Sequence, residues 1–555
     1  MKFRKIISIT IIICCLLTIL GLVAYTNPDS YFDLDELGCH DFAAGKDATV
    51  DGSVISSQTV DGPYDSRLII IPAADHQPGE MAPVYKNIIR AYPEFPNVEK
   101  KYFRGPYEPI KKLGEIPEVP HTYKVFKHGY PHANENQVLM GENTLGNLTE
   151  FSANLDKAIM YIEQLQLFGL QRAKTARECI KVMGELAEKY GYADIGESLM
   201  VSDPNEVFVF EIYPVGPLWT PESGKPGAVW CAQRVPDDHV ATSPNYSRIQ
   251  EIDPNDKENF MFSSNYMDCA IELGVYDPAS GEPFIWNFAY CDVRGKESPR
   301  LWRAYNILAP SGKWPYTEVA HYPFSFKPDK KISFRTIIEL YQDLLVGSGY
   351  DPTEDPAWYV RPRSGEFKGQ SVKSTYAIPK PEAGLQALLN IYPRGLISGY
   401  GCSYYYVNQA RSWLPNEIGG VSWFGLDNPK TGVYLPLYTG INEVPASWSH
   451  LDRTKFDRDS AWWAFAAVDD QLDDRWGYLK PKLDEVVVPM QQEMYAKQES
   501  IEQEALKLYK NDPESAKKFL TDYTCSLMEK TEKTYWDLWE RFLYEMNNNA
   551  LSLPY

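Results

Sequence analysis

The chain opens on a block of apolar residues: Ile6 to Ala24 carries no charge and follows Lys2, Arg4 and Lys5. A secretory h-region runs ~7–15 residues and a membrane-spanning helix ~20, so the block reads as a cleaved export signal or as a retained anchor. In either reading the basic flank keeps the N-terminus inside and puts the rest of the chain outside.

Further along, the pattern shortens to strand length. Ala48-Thr49-Val50, then Asp51-Gly52, then Ser53-Val54-Ile55 predict a strand, a tight turn and a second strand, forming a hairpin at a sheet edge. Arg67 to Ile71 predicts a buried strand, whereas Pro106, Pro109, Pro117 and Pro120 predict loops and edges through residues 63 to 130, folded over the sheet to shape a cleft. Glu206 to Ile212 and Ala228 to Ala232 read as core strands. Thr175-Ala-Arg-Glu178 is a capping-box sequence that opens a helix through Tyr190, with Ile180, Met183 and Ala187 on one face.

From about Asp457 the alternation gives way to long amphipathic stretches. Asp512-Pro513 supplies an N-cap and an N1 proline, and Phe519, Tyr523, Leu527, Tyr535, Trp536 and Trp539 make apolar stripes. Such stripes serve core packing or a contact between subunits.

Composition narrows the function classes. With 44% hydrophobic and 14% aromatic residues in 555, the chain has ample material for a packed core. Its net charge of -20, with no basic run beyond the N-terminus, argues against nucleic acid as a partner, because phosphate backbones reward clustered Lys and Arg. The nine cysteines are Cys14 and Cys15 in the apolar block, Cys39, and six scattered at 179, 231, 269, 291, 402 and 525, with no CxxC. That spacing favours free, buried thiols over a dense disulfide framework. The histidines lack His-Glu-x2-His spacing, so no zinc site is expected. No phosphate-cradling glycine motif or Gly-x-Ser-x-Gly elbow occurs between 251 and 400. No cofactor is called for.

The candidate chemistry gathers at Gly38-Cys39. A free α-amino group titrates near ~8 and a thiol near ~8.5, so a cut before Cys39 would give one residue both a nucleophile and its base. Residues 25–38 then form a short pro-segment or tether. The thiol could remove it by attacking the Gly38 carbonyl in an N-to-S acyl shift, which the glycine backbone accommodates.

Cys39-x5-Gly45-Lys46-x-Ala48-Thr49-x-Asp51-Gly52-Ser53 resembles the mature N-terminus of the dipeptidase A family of cysteine peptidases, within the N-terminal-nucleophile hydrolases. The likeness continues through Tyr130 to Gln137, Gly141 to Thr144, Gln233 to Val240, Asn245 to Ile249, and Arg411 to Val421, collinear over most of residues 39 to 555.

It implies an α+β fold, a four-layer αββα sandwich over 39–456 with a helical extension over 457–555, after a signal or anchor at 1–24 and a tether at 25–38. It also implies site roles. Asp61 would orient the α-amine; Gln58 stands where relatives carry an arginine; Asn245, following Val240-Ala241-Thr242-Ser243, would hold the oxyanion. Asn143 or Thr144 would assist there, and Arg411 would meet a substrate carboxylate or else make a surface ion pair. The implied activity is an exported dipeptidase acting on small peptides, with a homo-oligomer as one form it can take. The alternatives are an N-acyl amide hydrolase of the bile-salt hydrolase and penicillin acylase kind, and a catalytically silent surface-binding protein whose Cys39 is never liberated.

Overall fold

The computed structural model describes residues 38–89, 110–153, 155–453 and 455–549. The apolar block at 6–24, the tether as far as residue 37, Pro106 and Pro109 lie outside the described residues.

Fifteen strands make two large sheets. In chain order they are β1 (Asp41–Ala44), β2 (Val54–Asp61), β3 (Ile69–Ile71), β4 (Val125–Lys127), β5 (Pro131–Asn134), β6 (Leu139–Thr144), β7 (Glu197–Ser202) and β8 (Val207–Tyr213). They continue with β9 (Val229–Arg234), β10 (Val240–Ser243), β11 (Phe260–Phe262), β12 (Ser325–Phe326), β13 (Cys402–Ala410), β14 (Val421–Leu426) and β15 (Leu435–Tyr438). The seven-stranded sheet runs β12-β10-β1-β2-β13-β14-β15 and the eight-stranded sheet β11-β9-β8-β7-β6-β5-β4-β3, so the chain is α+β.

The period-2 geometry of β2 explains how a strand rich in Ser, Gln and Thr sits in a core. Ser56 and Gln58 reach the eight-stranded sheet through Ser202 and Glu142, while Ser57 bonds to Tyr341 on the opposite face. The sheets approach most closely at Gly141, where a Cβ would lie 2.2 Å from the Ser57 carbonyl oxygen. Only glycine fits such an approach.

Helices cover the two sheets. α1 (Ile162–Arg172) and α2 (Ala176–Tyr190) pack on the eight-stranded sheet, and α4 (Phe334–Tyr341), α5 (Ala461–Tyr509) and α6 (Pro513–Asn549) on the seven-stranded one. A shorter helix, α3 (Pro299–Leu308), lies against β10. Helix α2 spans the predicted residues: Thr175 Oγ1 accepts from the Glu178 amide, and Ile180, Met183 and Ala187 are buried. Glu178 reaches one residue further back than a capping box requires, to the Lys174 amide. The tail helix α5 is kinked at Arg475 (φ -145°). Tyr535 and Trp536 of α6 are buried and the Tyr535 hydroxyl donates to the Thr431 carbonyl, so this part of the stripe is core packing.

Three local expectations are corrected. Ala48-Thr49-Val50 is not a strand: β1 precedes it, residues 45–53 connect β1 to β2, and Asp51-Gly52 is a bend within that loop. The amides of Asp47 and Ala48 donate to the Asp237 carbonyl, and Thr49 bridges to Ile332, so the segment is held by other loops and not by β2. β1 lies between β10 and β2, so Cys39 enters the interior of a sheet and not its edge. Ile69 to Ile71 forms the half-buried edge strand of the larger sheet. The cysteines at 39, 179, 231, 269, 291, 402 and 525 are free thiols.

Candidate active site

Cys39 sits one residue ahead of the point where the chain joins the sheet. The Thr59 amide on β2 donates to the His40 carbonyl at 3.1 Å, the His40 amide donates to Thr59 Oγ1 at 3.1 Å, and the Tyr341 hydroxyl donates to the His40 carbonyl at 2.8 Å. These contacts fix the backbone beside the thiol, which is 5% exposed. His40 does not serve as a base: burial and the nearby Arg300 charge hold its imidazole neutral, its Nε2 lies 2.7 Å from Thr242 Oγ1, and its ring stacks on Phe42.

The sulfur is surrounded by carboxyl groups. Burial raises the Cys39 thiol well above its ordinary range, and the charges of Glu142, Asp61 and Asp41 raise it further; a hydrogen bond with the Asp61 backbone pulls the other way. With the Gly38–Cys39 bond intact, the thiol is therefore protonated at neutral pH.

Asp61 closes β2, and its Oδ2 accepts from the Gly399 amide at 3.0 Å. Burial raises its carboxyl, opposed by Lys430 and Arg300. Lys430 donates to the Ser398 carbonyl at 2.6 Å and so holds the loop that presents Gly399.

The predicted oxyanion candidates form one connected network. Asn143 Nδ2 donates to Asp41 Oδ2 at 2.9 Å, and its Oδ1 accepts from Ser243 Oγ at 3.0 Å and from the Asn245 amide at 3.1 Å. Asn245 has a φ of 64°, the left-handed region that asparagine tolerates, which turns its side chain back toward β6. Its Nδ2 donates to the Thr144 carbonyl at 2.7 Å. One N–H of the Asn143 amide is thus given to Asp41, and one of the Asn245 amide to a backbone carbonyl.

Gln58 is not beside Asp61. It faces the other sheet, where Nε2 donates to Glu142 Oε2 at 2.9 Å and Oε1 accepts from the Tyr406 hydroxyl. Arg411 is a correction: it lies at the far end of β13, where Ala410 pairs with Val54 and Cys402 with Asp61. Its guanidinium donates to the Gly419 and Ile418 carbonyls and to Glu502, so it is neither a surface ion pair nor a cation beside the thiol.

Two groups near the sulfur escaped the sequence reading. Glu142 on β6 shares a side-chain hydrogen bond with Glu197 on β7, and burial pushes Glu142 up to about 7 and Glu197 well above the carboxylate range. An acid between two buried-strand residues, as in Met140-Gly141-Glu142-Asn143, was the available signal. The other is Arg300, 1% exposed, in the first turn of α3. Ser298 caps that helix through the Leu301 amide, and Pro299 occupies its first turn. Arg300 Nη1 and Nη2 both donate to Asn245 Oδ1 at 3.1 Å, and Nη2 donates to the Pro244 carbonyl at 2.7 Å. Nothing local in Ser298-Pro299-Arg300 signals this.

Residues 38–488 match the family model described as peptidase family C69. The chain belongs to peptidase family C69. The match opens one residue before Cys39 and takes in every site residue named above. The C69 chain is 24% identical over 417 residues to a probable dipeptidase of Salmonella dublin, covering 73% of this chain and 82% of that one. It is 23% identical over 508 residues to probable dipeptidase B of Streptococcus pyogenes serotype M1, covering 89% and 90%. A probable dipeptidase of Latilactobacillus sakei is 23% identical over 461 residues, covering 80% and 82%. C69 membership and these relatives support peptidase activity.

Proposed function

We propose that the chain is an exported dipeptidase that uses Cys39 as nucleophile once the Gly38–Cys39 bond is broken, in a four-layer αββα fold of the N-terminal-nucleophile type. The observation that carries this reading is the position of Cys39: one residue ahead of an interior strand, its sulfur against the Asp61 backbone, in a C69 chain whose relatives are named probable dipeptidases.

In the proposed cycle the freed α-amine takes the thiol proton and the sulfur attacks the peptide carbonyl. Asp61 orients the resulting ammonium and compensates its charge. Asn245 turns its Nδ2 from the Thr144 carbonyl to the tetrahedral oxyanion. The ammonium gives its proton to the leaving nitrogen, and water then resolves the thioester by the same route. The ammonium also offsets the carboxyl charges that hold the thiol proton in the uncut chain.

Mass spectrometry of the active protein tests the first requirement: the N-terminus should be Cys39, and an active protein still carrying residues ahead of it refutes the mechanism. A panel of dipeptides and N-acyl amides tests the second. Dipeptides should turn over and Cys39→Ala should abolish that turnover. Hydrolysis of N-acyl amides alone would move the assignment to the bile-salt hydrolase and penicillin acylase type, and a chain never cut at Cys39 would be the silent binding protein.

A further inference from the structure

The bond that must break to free Cys39 is held by a buried cation. Arg300 Nη1 donates to the Gly38 carbonyl oxygen at 3.0 Å and to the Cys39 carbonyl oxygen at 3.0 Å. One nitrogen therefore grips the carbonyls on either side of the nucleophile. A guanidinium needed only to brace β10 against α3 would be served by the Pro244 carbonyl and Asn245 Oδ1, which it already holds. The contact to Gly38 adds a donor at the one oxygen that turns negative if the thiol attacks its own preceding carbonyl. Such donors act most strongly in a site from which water is excluded, and Arg300 is buried.

We propose that Arg300 is a catalytic residue of self-scission at Gly38–Cys39. This rests on the reading above that the chain matures by freeing Cys39. In the step, the thiol proton passes to the Asp61 carboxylate as Sγ bonds to the Gly38 carbonyl carbon, and the carbonyl electron pair moves onto oxygen, facing Nη1. Collapse of that oxyanion breaks the carbon–nitrogen bond. The Cys39 nitrogen recovers the proton and leaves as a neutral amine, with residue 38 held as a thioester. Water hydrolyses the thioester to the Gly38 carboxylate and the free thiol. The atoms balance without any oxidant, reductant or cofactor. The groups facing the reacting atoms are Asp41 on β1, Asp61 on β2, Glu142 on β6 and Arg300 on α3, so the guanidinium is a cation set among acids.

The test is the full chain made in a reconstituted, protease-free translation system, with the Cys39 N-terminus followed in time by mass spectrometry. Wild type should convert unaided. Arg300→Gln should convert ~100-fold or more slowly, the usual cost of deleting an oxyanion donor, and Arg300→Lys, which keeps the charge and one donor direction, ~10-fold more slowly. Hydroxylamine, which captures thioesters, should leave the Gln variant slow, because its block precedes thioester formation. A cooperative thermal transition confirms folding of each variant, and if the Gln variant does not fold the Lys variant decides. Conversion of a folded variant at the wild-type rate, or its restoration by hydroxylamine, overturns the role of Arg300 and leaves the maturation reading intact. A wild-type chain that never converts in the pure system overturns self-scission itself.

Discussion

Arg411 and Glu502 form an ion pair at 2.8 Å, and their side chains are only 5% and 12% exposed. The pair joins the end of β13 to the tail helix α5. Removing one member of such a pair leaves the other charge uncompensated and costs ~3–5 kcal/mol, whereas replacing both with apolar groups is close to neutral. Arg411→Met should therefore lower the urea midpoint strongly, and Arg411→Met with Glu502→Leu should recover most of the loss. A folded Arg411→Met protein with a raised KM and unchanged stability would return Arg411 to substrate binding. At the thiol the expectation differs, because the proposed mechanism has Asp61 act on the reaction as well as accept from the Gly399 amide. Asp61→Asn should reduce kcat ~100-fold or more with a smaller change in KM, the usual scale for losing a proton-transfer or orienting group. Turnover of a dipeptide measures it, in a variant whose Cys39 N-terminus is freed by an added protease so that maturation does not depend on Asp61.

At the scale of elements, the contact of β2 with β6 sets the spacing of the two sheets. Gly141 lies so close to Ser57 that an added methyl group would have to move one strand bodily, since the obstructing atom is a backbone oxygen 2.2 Å away. Gly141→Ala should destabilise by ~3 kcal/mol or more, at the upper end of overpacking costs, and should slow turnover in whatever fraction still folds. The two sheets carry Asp41 and Asn143 on facing strands, so a small separation also breaks that 2.9 Å hydrogen bond. Chemical denaturation followed by tryptophan fluorescence reads the first effect. A Gly141→Ala protein as stable as wild type would show that the sheets can slide apart freely here.

Across the whole molecule, buried acids collect between β6, β7 and α1. Glu142 is raised to about 7 and Glu163 to about 8, first by burial, and Glu197 and Asp194 are raised as well; Lys127 and Lys86 oppose this. Through these acids the folded state binds more protons than the unfolded chain between the ordinary glutamate value, ~4.3, and about 8, whereas the buried His40, His128 and His132, held below their ordinary value of 6.5, bind fewer up to that value. Above pH 6.5 the acids act without that opposition, and their contribution to stability falls as pH rises to about 8. Glu142→Gln imitates the protonated acid while keeping an acceptor for Gln58, so it should flatten the decline and raise the melting temperature at pH 8 by roughly 2–4 °C. A stability that climbs between about pH 7 and 8 in the wild type would contradict this accounting.

Local signals carried the sequence reading wherever the partners were near. Helix α2 was legible because Thr175, Glu178 and the apolar positions at helical spacing lie within one short segment. Cys39 could be proposed from the chain alone because the role given to it depends on what could become its own amine. The strand after it was misplaced, because Ala48 and Thr49 alternate like a strand yet are held by Asp237 and Ile332 from distant loops.

The charges around the sulfur were beyond reach for the same reason. Arg300 is separated from Cys39 by 261 positions and Glu142 meets Gln58 across 84, so no window along the chain contains both partners. The chain on its own determined its periodicities and its caps and pointed to Cys39 as the nucleophile proposed here, since these follow from neighbouring residues and elementary chemistry. Tertiary structure alone decided which acids and which guanidinium share the buried space with that thiol, because a charge is tolerated away from water only where folding brings distant groups to meet it.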